Sequence, residues 1–458
     1  MMRITRSTFA AAGLAVMSIM AAPVAQAETL ADTLVAAYRN SNLLDQNRAT
    51  LRAADEDVAT AVSSLRPVLK WAATAGYSDT DRYEASQAAL ELTAQMTLMS
   101  FGRTGLAIDI AKESVLATRE ALRGVEQNIL LGAVQAYTDV KSASESVAIN
   151  RNSARVIGEE LRAAQDRFEV GEVTRTDVAL AEARLAAARA ALSAAEGQLQ
   201  VARESYKAAT GAYPVRLAAL PPSPKLPKTL AEAQNTAQRL HPSIRQAQRQ
   251  VTVSELQVAA QAAERMPVLT GSLSAGTGES SITGDLDDVS VGLNLNQTIY
   301  SGGRLSALHR RALAGRDAAR AGLLQTGVEV AQNVANAWAN IAVSRAQISA
   351  IDEQIRAATV AFRGVKEEAT LGARTTLDVL DAEQDLLNAQ ADRIEAEAAL
   401  QVAFYSLLSS MGLLTVDHLN LGIPTYDPAA YYNAVRNAPG TSVQGKSLDR
   451  VLRAINKP

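Results

Sequence analysis

The 458-residue chain has no cysteine, which excludes disulfides, thiol chemistry and a lipid anchor on an N-terminal cysteine. Histidine is nearly as scarce: His241, His309 and His418 lie far apart without ligand-like spacing, and each reads as structural or exposed. No Gly-Lys-Ser/Thr phosphate loop occurs, and the acidic residues scattered along helical patterns form no acid/base pair. No catalytic residue, cofactor or metal is therefore expected, and the chain does not read as an enzyme.

Long apolar runs are also missing, with one exception. Arg3 and Arg6 precede an apolar stretch from Phe9 to Met20, and Ala25-Gln26-Ala27 has the form of a cleavage site. Residues 1–27 thus read as a secretory signal peptide, with export and a mature start at Glu28. Without Arg3 and Arg6 the chain carries 43 basic and 48 acidic residues, a formal charge of −5, which gives no support to nucleic-acid binding. Beyond the leader no run approaches the roughly 20 apolar residues of a membrane-spanning helix, so any entry into a membrane would be as strands.

Proline is absent from Val68 to Tyr213 and again from Val268 to Ile423, which leaves room for long unbroken helices. What fills that room occurs twice. A helical pattern from Thr29 to Leu65 leads to Pro67-Val68-Leu69, and another from Thr229 to Arg265 leads to Pro267-Val268-Leu269, an offset of 200 residues. Ser100-Phe101-Gly102-Arg103 and Ser301-Gly302-Gly303-Arg304 follow at an offset of 201. The chain is an internal duplication.

Period-two alternation marks strands between those markers. Leu69 to Tyr77 and Leu90 to Leu98 form one expected hairpin, and Leu269 to Gly276 and Val289 to Ile299 the other. The lengths match the roughly 9 to 11 residues of outer-membrane strands. Four strands cannot close a barrel, so closure requires several copies, and a soluble sheet with one wet face remains the alternative. Beyond each hairpin, apolar residues recur at helical steps: Leu122, Val125, Ile129, Gly132, Ala136 and Val140 in one half, Val330, Val334, Ala337 and Ile341 in the other. Arg103 to Glu169 and Arg304 to Thr370 contain 67 residues each, on the order of 100 Å of helix. The shorter helical segments would stack end to end alongside them.

Each long helix ends in a turn of the same sequence. Gly171-Glu172-Val173-Thr174 precedes Asp177-Val178, and Gly372-Ala373-Arg374-Thr375 precedes Asp378-Val379. The Gly closes one helix, and Thr174 or Thr375 with the Asp three residues on has the spacing of a capping box for the next. Asp378 and Asp381 share a helix face, whereas Leu180 stands where Asp381 does in the second copy. By spacing alone they read as complements to a helix N-terminus.

These paired Gly-x-x-Thr-x-x-Asp-Val turns, with the doubled order of helix, hairpin, long helix and turn, resemble the TolC family of outer-membrane exit ducts over nearly the whole chain. The resemblance implies a mainly α fold with a β-barrel portion: a long antiparallel coiled-coil α-barrel, plus four transmembrane β-strands per protomer that make a 12-stranded barrel in a homotrimer. It implies as partners a periplasmic adaptor, an inner-membrane ABC or proton-driven pump, and outer-membrane lipid. The layout becomes signal peptide 1–27, first repeat 28–211, Pro-rich linker 212–228, second repeat 229–412 and C-terminal segment 413–458. At the periplasmic entrance the gate residues would be Arg374, Asp378 and Asp381, with Thr176 and Asp177 as first-repeat partners. The docking tips would be Gly171, Glu172, Thr174, Gly372, Ala373 and Thr375. Ala369 stands where the family often has an aromatic residue, and Phe168 is its first-repeat equivalent. The tail, with Gly422-Ile423-Pro424, Tyr426-Asp427-Pro428 and Tyr431-Tyr432, is similar to the branch serving type I protein secretion; small-molecule efflux is the alternative, and a non-channel coiled coil a third.

Overall fold

A computed structural model describes residues 27–437 and Arg450. Apart from Ala27, the expected leader lies outside the described residues, as does the end of the tail. Helices α1 (Leu30–Asn40) and α2 (Asn42–Ser63) lead into strands β1 (Val68–Thr80) and β2 (Tyr83–Met99), then α3 (Arg103–Glu169) and α4 (Arg175–Thr210). The order recurs as α5 (Leu230–Leu240), α6 (Pro242–Ala263), β3 (Val268–Ser280), β4 (Gly284–Asn296), α7 (Arg304–Thr370) and α8 (Thr376–Ser410), and α9 (Pro428–Val435) follows.

The two long helices have the expected bounds. The segments before the hairpins do not run unbroken as the sequence reading expected. Thr29 to Leu65 is interrupted at Ser41, whose extended backbone lets its hydroxyl accept from the Leu44 amide at 3.3 Å. Thr229 to Arg265 is interrupted at His241, where Pro242 lacks an amide to continue the ladder and instead opens α6. The two breaks stand 200 residues apart and bend both helices at the same level.

At that level lies the largest core. Leu30, Leu34, Leu130, Val134, Tyr137, Val334, Phe404, Leu407 and Leu408 pack there, drawn from α1, α3, α7 and α8. The Pro-rich connection crosses this core as extended chain: Glu28 and Leu217 form a parallel bridge, and the Tyr137 hydroxyl donates to the Ala218 carbonyl at 2.9 Å. The tail is strapped on nearby. Arg48 lies over the rings of Tyr38 and Tyr426 at 5.3 and 5.4 Å, and Arg119 over Tyr432 at 5.2 Å.

The strands form one antiparallel sheet in the order β1-β2-β3-β4. Each has 13 or 17 residues, longer than the alternation indicated, because pairing continues through polar residues such as Ser78↔Ala85 and Asp79↔Glu84. At the other end β4 stops at Asn296, so Ile299, expected in the strand, lies outside it. Trp71, Leu92, Ala275 and Val289 stand directly opposite one another across the four strands, and Trp71, Leu92 and Val289 are exposed. Among the described residues no helix is long and apolar enough to cross a membrane.

The repeats are unequal in burial. Helix α3 packs against α4 and also against α6 and α8 of the second repeat, and buries 16 residues, whereas α7 buries seven. Leu324, Val328, Val343 and Val360 of α7 remain exposed.

Beneath the tail strap, Asp55 is fully buried, and neither carboxylate oxygen has a hydrogen-bond partner. Burial pushes its pKa up to about 6, and the nearby Arg119 charge opposes the shift only in part. The folded chain therefore binds this proton more tightly than the unfolded one. Stability should fall as pH rises from about 4 to about 6 and level off above that range. We expect denaturant melts at pH 5 and 7.5 to show a smaller acid-side gain for Asp55→Asn than for the natural chain.

Candidate functional site at the helix tips

The far end of each repeat is a helix–turn–helix tip built almost wholly from local hydrogen bonds. At the first, Gly171 has φ +80°, a left-handed conformation that a side chain would strain. The Gly171 amide donates to Phe168 O at 3.0 Å and the Glu172 amide to Arg167 O at 2.9 Å, which together form a Schellman motif. At the second tip Gly372 has φ +78°, and the Gly372 and Ala373 amides reach Ala369 O and Glu368 O at 3.2 and 2.9 Å. The next helix starts at once. Asp177 Oδ2 accepts from the Thr174 amide and hydroxyl at 2.9 and 2.8 Å, and Asp378 Oδ2 does the same from Thr375 at 2.9 and 2.8 Å. The Asp177 and Asp378 amides donate back to the threonine hydroxyls at 3.3 and 3.2 Å.

These bonds stabilise the ionised carboxylates, so Asp177 and Asp378 are both held below the usual aspartate range. For Asp378 the bonds from the Thr375 amide and hydroxyl are the largest causes, and the nearby Arg374 charge adds to them. The expected pairing of Arg374 with Asp177 is absent within the chain. Arg374 Nε donates to Glu368 Oε2 at 2.9 Å across the turn, and Asp177 is taken up by Thr174. Asp381 is bound by Arg184 of α4 at 2.5 Å, while Thr176 is exposed on the first turn of α4.

Behind the tips the structure reveals polar contacts that the sequence reading missed. Glu383 of α8 is buried, accepts from Ser153 of α3 at 3.0 Å and is raised in pKa mainly by burial. Lys366 reaches Glu160 at 2.5 Å, and Arg167 Nη1 donates to Ala369 O at 3.3 Å. Ala369 is buried beside this cleft, whereas its counterpart Phe168 is exposed. Recurrence of Glu182 and Glu383 in the two turns was the available signal, but Glu182 is exposed, and the burial of Glu383 depends on inter-helix positions that spacing alone does not give. No group of three or more His, Asp or Glu side chains among the described residues is placed to hold a metal ion.

The model of the outer membrane efflux protein family matches residues 33–212 and 234–413. The chain belongs to that family. Across 430 residues it is 34% identical to the outer membrane efflux protein BepC of Brucella suis biovar 1, covering 92% of this chain and 93% of that protein. It is 25% identical over 318 residues to the alkaline protease secretion protein AprF of Pseudomonas aeruginosa, covering 67% and 66%. Among solved structures, the Campylobacter jejuni CmeC outer membrane channel superposes with a TM-score of 0.75 at 16% identity, covering 89% of each chain, a likeness in fold alone. The protein is thus an outer-membrane channel of the TolC type and not an enzyme, and the family spans ducts named for efflux and for secretion.

In this efflux-family chain the tip geometry makes the threonines, as much as the acids, responsible for the turn. Thr174→Ala and Thr375→Ala should each weaken the following helix start by about 1 kcal/mol. Amide exchange should rise in the first turns of α4 and α8 with the equatorial core unchanged. The capping contribution of Asp177 is present above the unfolded aspartate pKa and lost as pH falls through its depressed folded value, so exchange at α4 should also rise on acidification.

Proposed function

We propose that three copies of the chain form an exit duct that passively conducts cargo from an inner-membrane pump and periplasmic adaptor across the outer membrane. The sheet carries this reading. Its exposed apolar face suits lipid, yet β1 and β4 each present an unpaired edge that hydrocarbon does not tolerate. Three copies supply 12 strands, and the helices then surround a common tunnel. The tips at Gly171 to Thr174 and Gly372 to Thr375 are the proposed adaptor-docking surface, being repeated, exposed and farthest along the long helices from the sheet.

Resemblance of the tail to the secretion branch favours exported proteins as cargo. Likeness to BepC over nearly the whole chain favours the second reading, small-molecule efflux. A deletion strain tests both. Loss of specific proteins from the culture medium, restored by the intact gene, supports secretion. Increased sensitivity to detergents and dyes with an unchanged exported proteome supports efflux, and neither phenotype would sink the duct reading.

Arg374, Asp378 and Asp381, with Thr176 and Asp177, are the proposed gate. In a trimer the exposed Asp381 carboxylates would lie near one axis, each already paired with Arg184 of its own chain. Planar-bilayer recordings of purified trimers should show a higher closed-state conductance for Arg374→Ala, because its bond to Glu368 braces the second tip. Asp378→Ala/Asp381→Ala should reduce cation selectivity. Both channels behaving as the natural one would leave these residues as ordinary caps.

A further inference from the structure

The two repeats meet inside the chain where β2 pairs with β3 and where α3 touches α6, and a closed ring must make the same kind of junction between chains. The two hairpins reveal how closely one repeat maps on the other. Trp71↔Leu92 becomes Gly271↔Leu293 and Ala75↔Ala88 becomes Ala275↔Val289, with the first partner moved by 200 residues and the second by 201. Every pair from Val68↔Gln95 to Thr80↔Tyr83 has its counterpart under the same rule.

We propose that β4 of one copy pairs with β1 of a neighbouring copy in the β2·β3 register moved by those offsets, and that Arg304 of the first copy caps the C-terminus of α2 in the second. This rests on the trimeric-duct reading and specifies which residues meet. Leu92↔Ala275 becomes Leu293 against Ala75 of the neighbouring copy, and Ala94↔Leu273 becomes Leu295 against Ala73. Thr97↔Thr270 becomes Thr298 against Lys70. The irregularity between Thr97 and Met99 moves to Thr298 and Tyr300, bringing Tyr300 to Leu69.

Three observations support this register. First, β2 continues past Gln95, its last residue paired with β1, to Met99, and there it pairs only with β3. The equivalent residues 297–300 lie beyond the end of β4, with Ile299 and Tyr300 95% and 85% exposed. The edge of β1 would give them the partner that β3 gives to β2. Second, the register keeps the apolar faces together. Val289, Val291, Leu293 and Leu295 fall beside odd-numbered β1 residues, the set that contains Leu69, Trp71, Ala73 and Ala75, whereas a one-residue slip would put every pair on opposite faces.

The third observation lies where the helices meet the sheet. Arg103 opens α3 and its Nη2 donates to the carbonyls of Ala263, Glu264 and Met266 at 3.3, 3.0 and 3.2 Å, where α6 ends. A cation there offsets the negative end of the helix. Arg304 opens α7 after Gly303 at φ +86°, as Arg103 follows Gly102 at φ +89°, and its side chain makes no hydrogen bond or ion pair among the described residues. The offset assigns it the carbonyls of Ser63, Ser64 and Arg66 in the neighbouring copy. Ser64 replaces Glu264, so this clamp would use carbonyls without the carboxylate that lies 3.4 Å from Arg103 Nε.

The chain contains no thiol, so introduced cysteines are the only ones. Within one copy β1 and β4 are three strand spacings apart, about 14 Å, beyond disulfide reach. Full-length Ala75→Cys/Leu293→Cys, oxidised with copper phenanthroline in outer-membrane preparations, should run as a covalent trimer after boiling and revert with reductant. Ala73→Cys/Leu293→Cys and Tyr77→Cys/Leu293→Cys lie two residues off, at Cα separations of roughly 7 to 8 Å, and should couple several-fold more slowly. Thr74→Cys/Asn294→Cys, one step along the same register, covers the case in which the first pair has unsuitable Cβ geometry. Faster coupling at Ala73 or Tyr77 would overturn the register while leaving the trimer standing. No coupling at any pair, with trimers intact on mild-detergent gels, would overturn β4·β1 pairing altogether. Absence of trimers would instead sink the duct reading. Arg304→Ala should lower the temperature at which trimers dissociate, with Arg304→Lys between it and the natural chain; an unchanged temperature removes the clamp.

Discussion

A peptide group in hydrocarbon with no hydrogen-bond partner is destabilised by several kcal/mol, and a sheet of four strands leaves a row of such groups along each side. Much else in the molecule answers to that constraint. Each hairpin satisfies its own inner edges, and the β2·β3 pairing joins the two repeats into one sheet. The outer edges of β1 and β4 cannot be satisfied by the same chain without a barrel too small for its side chains. Duplication is therefore more than an economy of sequence: it fixes one junction that can be used both within a chain and between chains.

The helical part follows the same logic at a different scale. Two helices of 67 residues set the length, and shorter ones accompany them, meeting near the equatorial core, where Asn40 Nδ2 donates to Thr210 O at 2.6 Å. The breaks at Ser41 and His241 interrupt the shorter helices at that level, while α3 and α7 run past it unbroken. Burial is concentrated at the same height and thins toward both ends. Helix α3 is covered on two sides and α7 on fewer, so the second repeat carries the more incomplete surface of an isolated copy.

The sequence disclosed elements through punctuation and periodicity, and failed where a contact depends on distance in space. Both long helices and both capped turns were legible because Gly, Thr and Asp act on neighbours within a few residues. The break at His241 had a signal in Pro242, but Ser41 did not: a serine inside a helical pattern is ordinary until its backbone is seen to be extended. Strand lengths were read short because apolar alternation records which side chains face an apolar medium, whereas backbone pairing continues past Tyr77 through Ser78 to Thr80. At the tips the acids were visible but their partners were not. Arg184 lies on another helix 197 residues away from Asp381, and nothing in spacing selects it over its basic neighbours.

The tips have one further property. Each is shaped by bonds between residues no more than six apart, from Arg167 to Asp177 and from Glu368 to Asp378. Few of these bonds depend on what lies beside the turn. In the proposed duct, a helix pair joined in this way would twist and splay like a blade of an iris while its end keeps its form. Mechanical work done on the tunnel mouth would then be spent on sliding contacts between blades, such as Arg184 with Asp381 and Lys366 with Glu160, and not on unravelling the turns themselves.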